Sequence, residues 1–303
     1  MDKKLSLLLS NIKGIGNAKI RKFYDSLGFG GMEPKALYDN PNILCEAIQS
    51  SKIKPAITIS ELEIARAITE KIFNDCQKYQ INVVGMEDSL YPASLKELNK
   101  APFVLFYKGN IESLNKHSAV AVVGTRNPTD MGKKVAKRFG NVFAEQGFIV
   151  VSGLALGCDT LAHMGCLERK GITVAILAGG LDSISPKENS ALANEILNNN
   201  GCLISEYPPL TQPTKYTFVQ RDYIQSGLSK AIIVVEAGLK SGTMQTVNFA
   251  KEQNRIVGAF EHSDSKYLLL EQTQGNREII DSGVGHALKD KASLDNFINT
   301  LKQ

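Results

Sequence analysis

The sequence is sparing with the residues that hold metals and disulfides. Its five cysteines (Cys45, Cys76, Cys158, Cys166, Cys202) are odd in number and scattered, with no C-x-x-C pair. That pattern builds neither a disulfide framework nor a zinc site, and it fits buried thiols in a reducing compartment. The four histidines (His117, His163, His262, His286) are dispersed and show no metal-ligand spacing. Long hydrophobic runs are missing too: nothing approaches the ~20 apolar residues of a membrane helix. The opening MDKKLSLLLSNIKGIG has lysines before an apolar run, but it carries Asn11 and Lys13 and lacks a small-residue cleavage site. A cytoplasmic protein is expected. There is no fixed-period repeat and no low-complexity segment. The net charge of +4 is too mild to name a partner, so its distribution must decide.

What is present is an ordinary globular composition, 43% apolar and 22% charged over 303 residues. That length suits a full α/β domain and a smaller companion. In the smaller part, Leu5, Leu8, Leu9 and Ile12 recur at helical spacing, as do Ile20, Phe23, Tyr24 and Leu27. Between them, Gly14-Ile15-Gly16 suits a tight turn, which makes a helix–hairpin–helix pattern. Lys3, Lys4, Lys13, Lys19, Arg21 and Lys22 surround it against a single acid, Asp2. Such a hairpin brings backbone N–H groups to a phosphate, or it is a plain helical corner with solvated lysines. Helices continue to about residue 80, with Leu62, Ala65, Ile68, Ile72 and Phe73 as another stripe. From 81 a strand, turn, short helix and strand follow, broken at Pro92 and Pro102.

The larger part alternates. Strand-like runs cover 119–123, 148–151, 173–177, 202–205, 231–235 and 256–260, and helical patterns begin near 131, 157, 189, 219 and 241. Continuous apolar strands separated by helices predict a mostly parallel, doubly wound Rossmann-like sheet. Ligands of such sheets bind beyond the carboxyl ends of the strands. The loops there are rich in Gly, Ser and Thr: GTRNPTD (124–130), SGLALGCD (152–159), AGGLDSISP (178–186), SEYPPLTQPTKYTF (205–218) and EAGLKSGT (236–243). Glycines admit a close backbone approach and hydroxyls satisfy phosphate oxygens, so a phosphorylated ligand is expected.

A dinucleotide is disfavoured, because Gly124-Thr125-Arg126 replaces G-x-G-x-x-G and the second strand ends in Ser152-Gly153 rather than an acid. A Walker A motif is absent. Arg126 either clamps a phosphate or stacks on a base, or else pairs with Asp159 or Glu206. Lys133, Lys134, Lys137 and Arg138 oppose the stripe Met131, Val135, Phe139 and Val142, as on any surface helix. Tyr216 and Phe218 beside Lys215 and Arg221, in a long proline-bearing loop, suit stacked bases with paired phosphates. Phe218 is equally suited to anchoring that loop. His163 reads as a satisfied histidine, and Asp159, Asp182, Glu206 and Glu236 read as caps of loop N–H groups.

Several motifs occur in order: Val123-Gly124-Thr125-Arg126, Ser152-Gly153-Leu154-Ala155-x-Gly157-x-Asp159 with Ala162-His163, Gly179-Gly180-Leu181-Asp182, Ser205-Glu206-Tyr207-Pro208-Pro209, Gly227-Leu228-Ser229 and Lys240-Ser241-Gly242-Thr243. With the lead-in Tyr91-Pro92 and 102–109, this set resembles the DNA-processing protein A family, DprA or Smf. The resemblance implies a non-enzymatic, cofactor-free binder of single-stranded DNA. Such a protein protects incoming DNA in natural transformation, loads the RecA recombinase and forms homodimers. It also implies a helical domain over 1–80 and an extended Rossmann-like domain over 81–303. Its DNA site maps to Gly124, Thr125, Arg126, Ser152, Gly153, Lys215, Phe218, Arg221 and Lys240, with Ser241, Gly242 and Thr243 in the last loop.

The chain departs from the family pattern at Arg221-Asp222-Tyr223, where the family reads Arg-Asn-Arg, and at Glu261-His262, where it reads Pro-Gly. No winged-helix pattern follows at the C-terminal end. Two rival readings use the same pocket. A phosphoribohydrolase resembling the cytokinin-activating enzymes would need a glutamate where Thr246 stands. A nucleotide sensor would bind mononucleotides without regard to chain length.

Overall fold

The computed structural model describes residues 2–27, 33–54 and 56–303. Its N-terminal part holds α1 (Lys3–Ser10), α2 (Asn17–Leu27), α3 (Pro34–Asp39), α4 (Pro41–Ser50) and α5 (Ile59–Lys78). Asp2 starts α1 by accepting from the backbone N–H groups of Lys4 at 2.7 Å and Leu5 at 3.0 Å. The turn into α2 needs Gly14, whose φ of 84° lies in the left-handed region. A reciprocal Thr58–Glu61 cap starts α5.

The lead-in contains β1 (Asn82–Gly85), α6 (Ala93–Lys96), β2 (Val104–Gly109) and α7 (Ser113–Lys116). The alternating part then runs β3 (Ala119–Val123), α8 (Asp130–Glu145), β4 (Ile149–Ser152), α9 (Cys158–Glu168), β5 (Thr173–Leu177), α10 (Ser190–Asn198), β6 (Cys202–Ser205), α11 (Lys215–Gly227), β7 (Ala231–Val234), α12 (Gly242–Glu252) and β8 (Ile256–Phe260). After it come α13 (Ser265–Leu268), α14 (Gln274–Asp281), β9 (His286–Leu288) and α15 (Lys291–Lys302).

All the strands join one sheet of order β1-β2-β6-β5-β4-β3-β7-β8-β9. The block from β6 to β9 along that order is parallel, as its unbroken apolar strands require. The lead-in adds an antiparallel edge, with β2 against β6 and β1 against β2. Alternate residues of β3 enter separate cores on the two faces, Ala121 and Val123 in one and Val120 and Val122 in the other. The N-terminal helices share the first of these cores. Lys3 Nζ donates to the Val83 carbonyl at 3.1 Å, and the Tyr24 ring stacks on Phe103 with centroids 5.9 Å apart.

From β3 the chain winds through β4 and β5 to β6, then returns to β7 on the other side of β3. The switch point therefore lies between the carboxyl ends of β3 and β7, where an open α/β sheet forms its ligand crevice. Among the described residues, no helix is long and apolar enough to cross a membrane.

Candidate nucleic-acid interface

A cleft of about 330 Å³ opens at that switch point. One wall is the loop after β3, with Gly124, Thr125 and Arg126; the opposite wall is Ser241, Gly242, Thr243 and Thr246 at the start of α12. Its floor is one face of α11, carrying Phe218, Arg221, Asp222 and Gln225. These four follow i, i+3, i+4, i+7 spacing and so share a helix face.

The loop after β3 is held from β7. Thr125 donates its backbone N–H to the Glu236 carbonyl at 2.7 Å, and the buried Glu236 carboxylate accepts from Thr129 N–H at 2.8 Å and Thr129 Oγ1 at 2.6 Å. Thr129 in turn caps α8 through Gly132 N–H at 3.0 Å. His262 Nε2, on the loop after β8, lies 3.0 Å from Glu236 Oε1. His262 thus links the loop after β8, through Glu236, to the loop carrying Arg126.

Arg126 and Arg221 flank Phe218, with guanidinium carbons 5.4 Å and 5.8 Å from its centroid. Their environments are opposite. Arg126 is exposed and, among the described residues, forms no ion pair, so neither Asp159 nor Glu206 claims it. Arg221 is buried, with Nε 2.9 Å from Asp222 Oδ1 and Nη1 3.9 Å from Asp159 Oδ2. Asp159 Oδ2 also accepts from Gly153 N–H at 3.1 Å and Ala155 N–H at 3.4 Å, the capping role expected of it. A Cβ on Gly153 would collide with the Arg221 guanidinium, which is why glycine stands there. Burial pushes the Asp159 carboxyl up against the lowering pull of Arg221; burial raises Asp222 to about 6.

The expected site residues are therefore only partly gathered. Gly124, Thr125, Arg126, Phe218, Arg221, Ser241, Gly242 and Thr243 line this cleft, and Gly153 lines smaller hollows beyond Phe218. Ser152 does not face it: the residue is fully buried and its hydroxyl donates to the Val122 carbonyl at 2.7 Å. Arg221 faces it with a charge already matched by two carboxylates. Lys215 and Lys240 are exposed outside its lining. Tyr216 and Phe218 are not in a loop, since Thr214 caps α11 by accepting from Thr217 N–H at 3.2 Å and the helix starts at Lys215. Tyr223 turns away, packing edge-on against Phe249 with centroids 5.3 Å apart.

Of the cleft residues that the sequence pattern does not mark as site residues (Val123, Ala155, Asp159, Asp222, Gln225 and Thr246), Asp222 and Gln225 lie on the α11 face. Helical spacing with Phe218 and Arg221 was the available signal. The buried His163 is a core residue, with Nδ1 2.7 Å from Thr173 Oγ1. Asp182 caps Leu210 N–H at 2.6 Å. No group of three potential metal ligands occurs among the described residues. Thr246 lines the cleft where a phosphoribohydrolase would need its carboxylate.

The hairpin is less available than its composition implies. Lys3 pairs with Asp88 at 4.0 Å, Lys4 with Glu70 at 3.5 Å, Lys19 donates to the Gly14 carbonyl at 2.6 Å and Arg21 to the Leu98 carbonyl at 3.4 Å. Lys13 and Lys22 remain exposed.

Comparison with known proteins agrees with this architecture. The family model described as DNA recombination-mediator protein A matches residues 82–299. The chain is 36% identical over 214 residues to the DNA processing protein DprA of Bacillus subtilis, covering 71% of this chain and 72% of that protein. It is 41% identical over 176 residues to DprA of Streptococcus pneumoniae, covering 58% of this chain and 61% of that protein. The solved DprA of Streptococcus pneumoniae superposes with a TM-score of 0.75 at 29% identity, over 96% of this chain and 94% of that one. A Helicobacter pylori DNA processing protein A, solved for its single-stranded DNA binding mode, superposes with a TM-score of 0.64 at 29% identity, over 74% of this chain and 96% of that one. With its helical N-terminal part, its Rossmann-like sheet and its ordered loops, the chain belongs to the DNA-processing protein A (DprA/Smf) family, recombination mediators rather than enzymes.

Proposed function

We propose that this protein binds single-stranded DNA along the carboxyl edge of its sheet. The observation that carries the reading is Arg126, an exposed guanidinium with no ion-pair partner among the described residues, over an aromatic ring at the mouth of the switch-point cleft. A guanidinium in that position neutralises a phosphate and offers its plane to a base. Exposed Lys215 and Lys240 extend the cationic lip, and the Ser241-Gly242-Thr243 start of α12 supplies N–H groups for a backbone phosphate. The DNA binding of the Helicobacter pylori relative supports the same reading.

In the cell the protein protects incoming single strands and loads a RecA-type recombinase on them during natural transformation. It acts in the cytoplasm as a homodimer, with the helical unit of 1–80 beside the DNA-binding unit of 81–303. It works without a cofactor. The test is fluorescence anisotropy with labelled oligo-dT of increasing length at several salt concentrations. Affinity should rise with length and fall steeply with salt, because phosphate contacts release counterions. Negligible binding at low salt would overturn the proposal, and mononucleotide binding without length dependence would favour the sensor.

A further inference from the structure

The inner end of the cleft has the opposite chemistry from its lip. There one guanidinium, Arg221, faces two carboxyl groups, Asp159 and Asp222, and has no charge to spare for a phosphate. A buried end rich in acceptors disfavours a phosphate and favours hydrogen-bond donors. Asp222 places Oδ1 on Arg221 and leaves Oδ2 toward Gly242, 3.9 Å from where a Cβ would stand. One helical turn on, Gln225 is 2% exposed, lines the same cleft and has, among the described residues, no hydrogen-bond partner for Nε2. A buried amide without a partner is a standing cost that a ligand acceptor removes.

The four bases differ in what they offer to a carboxylate beside an amide. Thymine has a lone donor between two acceptors. Cytosine and adenine set a ring acceptor next to their amino group. Guanine alone presents two adjacent donors, N1–H and the 2-amino group, with the O6 acceptor beside them. Unstacked bases of single strands are read on these edges. The cleft volume of about 330 Å³ lies in the range of small-ligand pockets.

We propose that the inner cleft reads a guanine edge, Asp222 accepting from N1–H and the 2-amino group while the Gln225 amide donates to O6. This selectivity rests on the single-stranded DNA reading above. It acts on one nucleotide of the bound strand, while the lip holds the backbone. An asparagine in place of Asp222 would present a donor as well as an acceptor, and so would not favour the two adjacent donors of guanine.

The test compares labelled dT15 with the same oligomer carrying one central dG, hypoxanthine, dC or dA, at fixed salt and pH 7.5. One dG should tighten binding roughly tenfold over dT15, the discrimination of a good bidentate base contact. Hypoxanthine, which lacks the 2-amino group, should fall between them without any change to the protein. In Asp222→Asn, checked for an unchanged melting curve, the dG-to-dT ratio should approach one. Unlabelled dGMP displacing the oligomer where dTMP does not would put the same edge, free or in a strand, in this pocket. Equal affinity for all five oligomers, or a preference for dC or dA, overturns the guanine proposal. Failure to bind dT15 itself overturns the single-strand reading instead.

Discussion

The helical hairpin and the carboxyl edge of the sheet both look basic in the sequence, yet they use their cations differently. In the hairpin, Lys3, Lys4, Lys19 and Arg21 are engaged by carboxylates or carbonyls of the same chain. At the sheet edge, Arg126, Lys215 and Lys240 stay exposed, and Arg221 is the engaged one. A cation already matched by its own chain holds structure; of the unmatched ones, Arg126 stands at the mouth of a cleft, while Lys13 and Lys22 line none of the hollows described above. Counting basic residues would rank the two regions together, but their partners separate them.

Arg221 gives the hardest test of that distinction. Arg221→Ala would leave two buried carboxylates facing each other without a counter-charge. Removing one partner of a buried ion network costs about 3–5 kcal/mol, so urea denaturation should show a loss of that order. A near-native midpoint would mean that the pair holds no structure and that Arg221 belongs with the free cations. Arg126→Ala should do the reverse: stability within ~0.5 kcal/mol of wild type, and DNA affinity down by about 1–3 kcal/mol for every sequence alike.

A smaller effect is expected from pH. With its carboxyl raised to about 6 by burial, Asp222 is anionic above that value and neutral below it. Lowering the pH from 7.5 to 5.5 therefore removes a negative charge from the cleft, and affinity for dT oligomers should rise. Asp222→Asn should flatten that part of the profile. A profile that persists in the variant would assign it to another group. Smallest of all, Lys13→Ala and Lys22→Ala should change binding by under ~0.5 kcal/mol, as for isolated surface substitutions.

The same contrast explains how much of the molecule was legible beforehand. The strands from β3 to β8 were read nearly to the residue, because burial on both faces leaves unbroken apolar runs. The hairpin was legible from its leucine spacing and Gly14. The antiparallel edge was not, since strand direction leaves no mark on composition, and β9 is too short to show a period. The start of α11 was missed because its cap, Thr214 with Thr217, lacks the usual acid or amide at the third helical position.

That one boundary hid the face shared by Phe218, Arg221, Asp222 and Gln225, and with it the inner cleft. The cleft's outer wall, Gly124 to Arg126, was read correctly as a loop beyond the sheet, because topology places it there. The pairing of Arg221 with Asp159 links residues far apart in the chain, and no local spacing announces it. Ser152 shows the complementary failure: a serine at a strand end looks like a phosphate ligand until its hydroxyl is seen on the Val122 carbonyl.

The most direct test of the sheet edge against the hairpin's two exposed lysines is salt-titrated anisotropy with one dT oligomer on three proteins: wild type, Arg126→Ala, and the Lys13→Ala/Lys22→Ala double variant. The prediction is a roughly tenfold loss for Arg126→Ala, with the slope of log affinity against log salt shallower by about 0.7, the share of one phosphate contact on a single strand. The double variant should overlay wild type. An unchanged Arg126→Ala curve beside a weakened double variant would contradict this and move the DNA site to the hairpin.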